Sequence, residues 1–93
     1  YWQHALFMRA VENASWYVKC SVVGEQRGDV LFGGSRVISP TGEVVAEARH
    51  HEEDLVVADI DLSAMMAVRS QSHLFSVRNP ALYQRICEPT PFP

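Results

Sequence analysis

The chain has 93 residues, with eight basic and eleven acidic side chains and a formal net charge of -3. That length admits one small domain or a piece of a larger one and excludes two, because a single core takes about 50–200 residues. With 47% hydrophobic and 20% charged residues, the chain is too apolar for a disordered tail. Its interspersed charges offer no basic stripe for nucleic acid, and no apolar run approaches the ~20 residues of a membrane span.

Residues Trp2 to Asn13 contain no Gly or Pro and place Trp2, Leu6, Ala10 and Asn13 at spacings of four, four and three, a helical face. The chain starts inside this helix without a cap, so upstream sequence is expected before it. Ser15 to Val23 is rich in aromatic and β-branched residues and reads as a strand. Gly24 to Asp29 is expected to be a polar loop, and Val30 to Ile38 a second strand with Gly33-Gly34-Ser35 inside it, where the backbone packs closely.

Ser39-Pro40-Thr41-Gly42 has the residues of a tight turn, with Pro for φ near −65° and Gly for a left-handed position. Glu43 to Ala48 is then the return strand of a hairpin. His50 to Asp54 is a polar connection, and Leu55 to Ile60 is a compact apolar run of strand length. Asp61 is placed to cap a short helix from about Leu62 to Val68. Beyond Arg69 the periodicity fades, and Glu88 to Pro93 form a Pro-rich tail.

This pattern predicts an α+β fold of mainly antiparallel strands with one main helix. Residues 1–87 form the folded part and 88–93 the tail. One helix cannot cover both sides of so many apolar strands, so an exposed apolar face is expected, to be covered by further sequence or a partner.

Chemistry-bearing residues are few. Cys20 and Cys87 are too far apart for a CxxC motif and too few for a disulfide framework. His50-His51-Glu52-Glu53-Asp54 has no further ligands at site-forming spacing, so it reads as a solvated turn rather than a metal site. No metal or cofactor is expected. Arg9 and Glu12, three apart on one helix, read as an ion pair, and Ser35 as a hydrogen-bonding hydroxyl. Trp2, Trp16, Tyr17 and Phe32 read as core or interface packing. Cys20 is expected to be a packed free thiol, and Cys87 a residue near solvent or an interface.

Several stretches together resemble the C-terminal portion of the nitrilase superfamily of carbon-nitrogen hydrolases. They are Arg9-Ala10-Val11-Glu12-Asn13, Trp16-Tyr17-Val18 leading to Val23-Gly24, Gly33 through Val45, Leu55 through Leu62, and Arg78-Asn79-Pro80-Ala81-Leu82-Tyr83. Each piece alone is unspecific; their order and spacing carry the resemblance. It implies part of a four-layer αββα sandwich, and a catalytic glutamate, lysine and cysteine that lie upstream of the Arg9–Asn13 helix. This chain therefore carries no catalytic residue under that resemblance.

In that chemistry the glutamate takes the thiol proton, the thiolate attacks an amide or nitrile carbon, and water releases the acid from the thioester. The resemblance implies a small-molecule amide as substrate; a carbamoyl amide, a terminal amide and a nitrile all stay open. It also implies the missing N-terminal part of the domain as a partner. Homo-oligomers through residues 1–13 and the segment after Val77, and a cytoplasmic location, are expected as well. Two other readings stand beside it, a structural or partner-binding piece and a catalytically inactive family member.

Overall fold

The structure, a computed structural model, describes residues 1–89; of the tail expected over residues 88–93, Thr90 to Pro93 lie outside the described residues. Helix α1 (Trp2–Glu12) buries Leu6 and Ala10, one turn apart, and these two meet Ile38 and the half-buried Tyr17 to form the core. Trp2, counted into the same face by spacing, is 61% exposed. Ala14 takes a left-handed φ of 42°, the Ala14 amide donates to Val11 O at 3.1 Å, and the Ser15 amide donates to Ala10 O at 3.0 Å. This is a Schellman ending, usually built on glycine. Ala14 is only 1% exposed, so its methyl fills space that glycine would leave empty.

The chain then enters β1 (Tyr17–Lys19), β2 (Val23–Gln26), β3 (Asp29–Phe32), β4 (Arg36–Ile38) and β5 (Val44–Glu47). These form a three-stranded antiparallel sheet in the order β1-β4-β5 and a separate hairpin of β2 with β3. The single strand expected over Ser15 to Val23 is therefore two, broken at Cys20–Val22 where the chain leaves one sheet for the other. Gly24 to Asp29 is likewise not a loop. Gln26 pairs with Asp29, and Arg27 and Gly28 between them have φ of 54° and 85°, the positive pair that a two-residue type I′ hairpin requires. Arginine rarely adopts that conformation, so its place in the turn was not evident.

The strand expected over Val30 to Ile38 also divides, at Gly33 and Gly34, with φ of 71° and 69°. Close packing is the reason. A Cβ on Gly33 would collide with the Val23 side chain, and one on Gly34 would sit 2.7 Å from His50 Nε2.

The hairpin of β4 and β5 is as expected. The Ser39 amide donates to Glu43 O at 2.8 Å and the Gly42 amide to Ser39 O at 2.9 Å. The buried Ser39 hydroxyl accepts from the Glu43 amide at 3.1 Å, so its polar group is satisfied.

Leu55 to Ile60 does not pair into a sheet among the described residues, contrary to expectation. Leu55 and Val57 are 85% and 81% exposed while Val56 and Ala58 are half-buried. The alternation is that of a strand, but no neighbouring strand supplies its ladder.

Asp61 caps α2 (Leu62–Gln71), its carboxylate accepting from the Ser63 amide at 2.8 Å. This helix runs three residues past the expected Val68. It is almost as long as α1, so the fold has two main helices rather than one, although α2 buries no residue. Arg69 ties it to α1 by donating to Asn13 O at 3.3 Å, a cation at a helix C-terminus. After it come a short helix α3 (Pro80–Tyr83) and a 3-10 turn (Gln84–Cys87), in a stretch where no periodicity was evident. Pro80 stands in the first turn of α3, where its missing amide hydrogen costs nothing.

The molecule is a slab of 47 × 43 × 17 Å. Its accessible surface is 7633 Å², against about 5,400 Å² for a compact monomer of this mass. The sheet face opposite the core is only partly open, contrary to the expectation of an exposed apolar face there: Val18 is 55% exposed, but Val37 across from it is 8% exposed, and the run at Asp54–Val56 lies in the groove beside them.

Candidate functional site

The residues weighed from sequence do not converge on a catalytic centre. Cys20 is exposed, not packed as expected, because it stands just past the end of β1 where the chain leaves the sheet; Cys87 is exposed too. Arg9 and Glu12 form the expected ion pair, at 2.8 Å on the surface. Ser35 makes its hydrogen bond, accepting from the Ser21 amide at 2.9 Å. Trp16 Nε1 donates to Asp61 O at 2.9 Å, joining the start of β1 to the cap of α2.

Residues 50–54 bring no metal ligands together, and the described residues hold no group of three such side chains. Their polar groups close a turn instead. The Asp54 carboxylate accepts from the Arg49 amide at 3.0 Å and the Leu55 amide at 2.9 Å. These bonds, the one from Arg49 first, hold the Asp54 carboxyl below its usual range.

A polar row at the end of the sheet is the most organised feature, and it was not singled out from the sequence. Lys19 lies opposite Arg36, and Arg36 opposite Glu47, so the three side chains share one face, two residues along from Tyr17 and Ile38. Arg36 donates to Glu47 Oε1 at 2.7 Å, and His50 Nε2 lies 3.0 Å from the same oxygen. The His50 ring rests over Gly34 and beside Phe32, at 5.7 Å between ring centroids. The hydrogen bond from Arg36, then that from His50, holds the Glu47 carboxyl below its ordinary value of 4.5.

A carboxyl depressed in the folded state stabilises the fold above its ordinary pKa, and that contribution is lost as pH falls through the folded value. Acid unfolding of the wild type is therefore expected to steepen below about pH 4.5. In Glu47→Gln the same titration is expected to be flatter across that window. Identical pH profiles of melting temperature for the two proteins would show that the row contributes nothing to the fold.

Lys19 differs from its neighbours in the row. Its ammonium lies 5.3 Å from the centroid of the Phe32 ring, and it makes no ion pair among the described residues. It borders two adjoining concavities of about 210 and 430 Å³ that share Trp2, Lys19 and Phe32. Tyr1, Gln3, Leu6, Gly34 and Arg36 complete the walls of the smaller one.

Residues 1–70 match the family described as Carbon-nitrogen hydrolase. The chain is 35% identical over 85 residues to the Omega-amidase NIT2 of Bos taurus, covering 90% of this chain and 30% of that protein. It is 34% identical over 83 residues to the 2-oxoglutaramate amidase of Bacillus subtilis, covering 89% and 32%. It is 42% identical over 62 residues to a nitrilase of Pyrococcus abyssi, covering 67% and 24%. The crystal structure of a carbon-nitrogen hydrolase from Helicobacter pylori shares the fold, with a TM-score of 0.81 at 24% identity over 94% of this chain and 32% of that one. The chain thus spans about a third of the length of the relatives it matches, or less.

Proposed function

Because the chain belongs to the carbon-nitrogen hydrolase family, we propose that it is the C-terminal part of a hydrolase domain that cleaves the terminal amide of a small carboxylic acid. The observation that carries this reading is the match over residues 1–70 together with relatives named as an omega-amidase and a 2-oxoglutaramate amidase. The accessible surface of 7633 Å², well above that of a compact monomer of this mass, supports the sandwich part of the reading: a second sheet and its helix, supplied by the N-terminal part of the domain, complete the four αββα layers.

In this reading a glutamate, a lysine and a cysteine N-terminal to Tyr1 run the chemistry. The glutamate takes the thiol proton, and the thiolate adds to the amide carbon. The lysine and backbone amides stabilise the oxyanion; ammonia leaves, and water opens the thioester to the acid. The present residues shape and support the pocket. Among the described residues no helix is long and apolar enough to cross a membrane.

The test is ammonia release from a panel of acid monoamides, carbamoyl compounds and nitriles by the intact protein. Turnover of the acid monoamides is expected, and it should vanish when the nucleophilic cysteine is replaced by alanine. No release above that variant on any compound would remove the enzymatic reading. Assembly belongs to the same proposal: α1 and the segment after Val77 form contacts between copies, and native mass measurement should give a dimer or larger. A monomer at all concentrations would exclude it.

A further inference from the structure

We propose that the cleft between the start of α1 and the Lys19–Arg36–Glu47 row binds the carboxylate of the substrate, and that Lys19 is the residue that recognises it. This rests on the acid-amide reading above and assigns its specificity to one side chain.

Two observations carry it independently. The first is the cross-strand register. Lys19 and Arg36 are like charges directly opposite each other on one face, an arrangement that destabilises a sheet unless something negative lies between or beside them. Glu47 satisfies Arg36, at 2.7 Å, and also takes His50. The row holds one carboxylate against two permanent cations, and the unmatched charge is on Lys19.

The second is the setting of that charge. Lys19 is half-buried, with its ammonium held over the face of Phe32. A cation over an aromatic ring keeps its attraction for an anion on its open side. The adjoining hollows have apolar walls from Trp2, Leu6 and Phe32, and the larger, at about 430 Å³, is of the size that takes a small molecule. One fixed cation in an apolar hollow suits a short-chain monocarboxylate, whose methylenes lie along the aromatic walls while its carboxylate meets the ammonium. A dianion or a phosphate calls for more donors than this cleft presents.

The experiment uses the intact protein and two substrates that differ only in the carboxylate, glutaramate and its methyl ester. Lys19→Met is expected to lower the ratio of kcat/KM for glutaramate to that for the ester by about 10- to 100-fold, the range of a charge-assisted hydrogen bond. The loss should lie in KM, and Lys19→Arg should keep the preference for the acid. A ratio unmoved by Lys19→Met overturns the proposal, and so does an equal loss on both substrates. Calorimetric titration with valerate, a monocarboxylate, supplies a readout that needs no turnover: the wild type should bind it, with affinity at least tenfold above that of Lys19→Met. If the wild type hydrolyses neither amide yet binds valerate through Lys19, the enzymatic reading fails and the carboxylate site stands. If both amides are hydrolysed and valerate binding is the same in both proteins, the reverse holds.

Discussion

Replacing Ile38 by alanine is expected to lower the stability of the intact protein by about 2–5 kcal/mol. Ile38 is 1% exposed, the largest side chain buried so fully. It lies where β4 meets Leu6 and Ala10 of α1, with Tyr17 closing the side. Removing its outer carbons forfeits their transfer from water and leaves a cavity that the sheet, tied by its ladder, cannot collapse to fill. Val22→Ala makes a suitable comparison, since Val22 is 69% exposed and its truncation should stay within about 0.5 kcal/mol. Chemical denaturation midpoints measure both. Equal effects would mean that the seam between α1 and the sheet is not where the fold is held.

Gly42→Ala is the second large effect, and it acts through two separable causes. Gly42 has a φ of 90°, and holding a residue with a Cβ in such a conformation costs about 1–3 kcal/mol. A Cβ there would also run into the Phe7 ring of α1. The collision is removable and the backbone strain is not. Combining Gly42→Ala with Phe7→Ala should therefore cost less than the sum of the two single changes, while staying below wild type. Strict additivity in that double-mutant cycle would show that the turn and the helix do not touch.

Much of this arrangement could be read from residue types, and the failures share a cause. The hairpin at Ser39–Gly42, the Asp61 cap, the Arg9–Glu12 pair and the helix over Leu6 and Ala10 are local: each is decided within a few residues by turn chemistry, capping or helical spacing. The breaks at Cys20–Val22 and Gly33–Gly34 are set by which strand each half pairs with, information that lies many residues away. Leu55 to Ile60 shows the same limit, since its composition favours a strand but a strand is completed only by a neighbour. The Lys19–Arg36–Glu47 row depends on the register of three strands at once. Counting outward from the Ser39–Gly42 turn would have set Arg36 opposite Ala46, because a register shift between Val37 and Ile38 is what brings Glu47 into line, and residue types near the turn do not announce that bulge.

The sheet order β1-β4-β5 leaves the outer margins of β1 and β5 without partners among the described residues. Backbone amides and carbonyls on such margins accept any extended segment that comes within reach. Made by itself at high concentration, the polypeptide would find that segment in its own kind, and the Val-rich run at 55–60 is already shaped to serve. Recombinant production of this stretch alone would therefore tend toward insoluble, cross-linked β material, and coexpression with the remainder of the domain is the natural remedy.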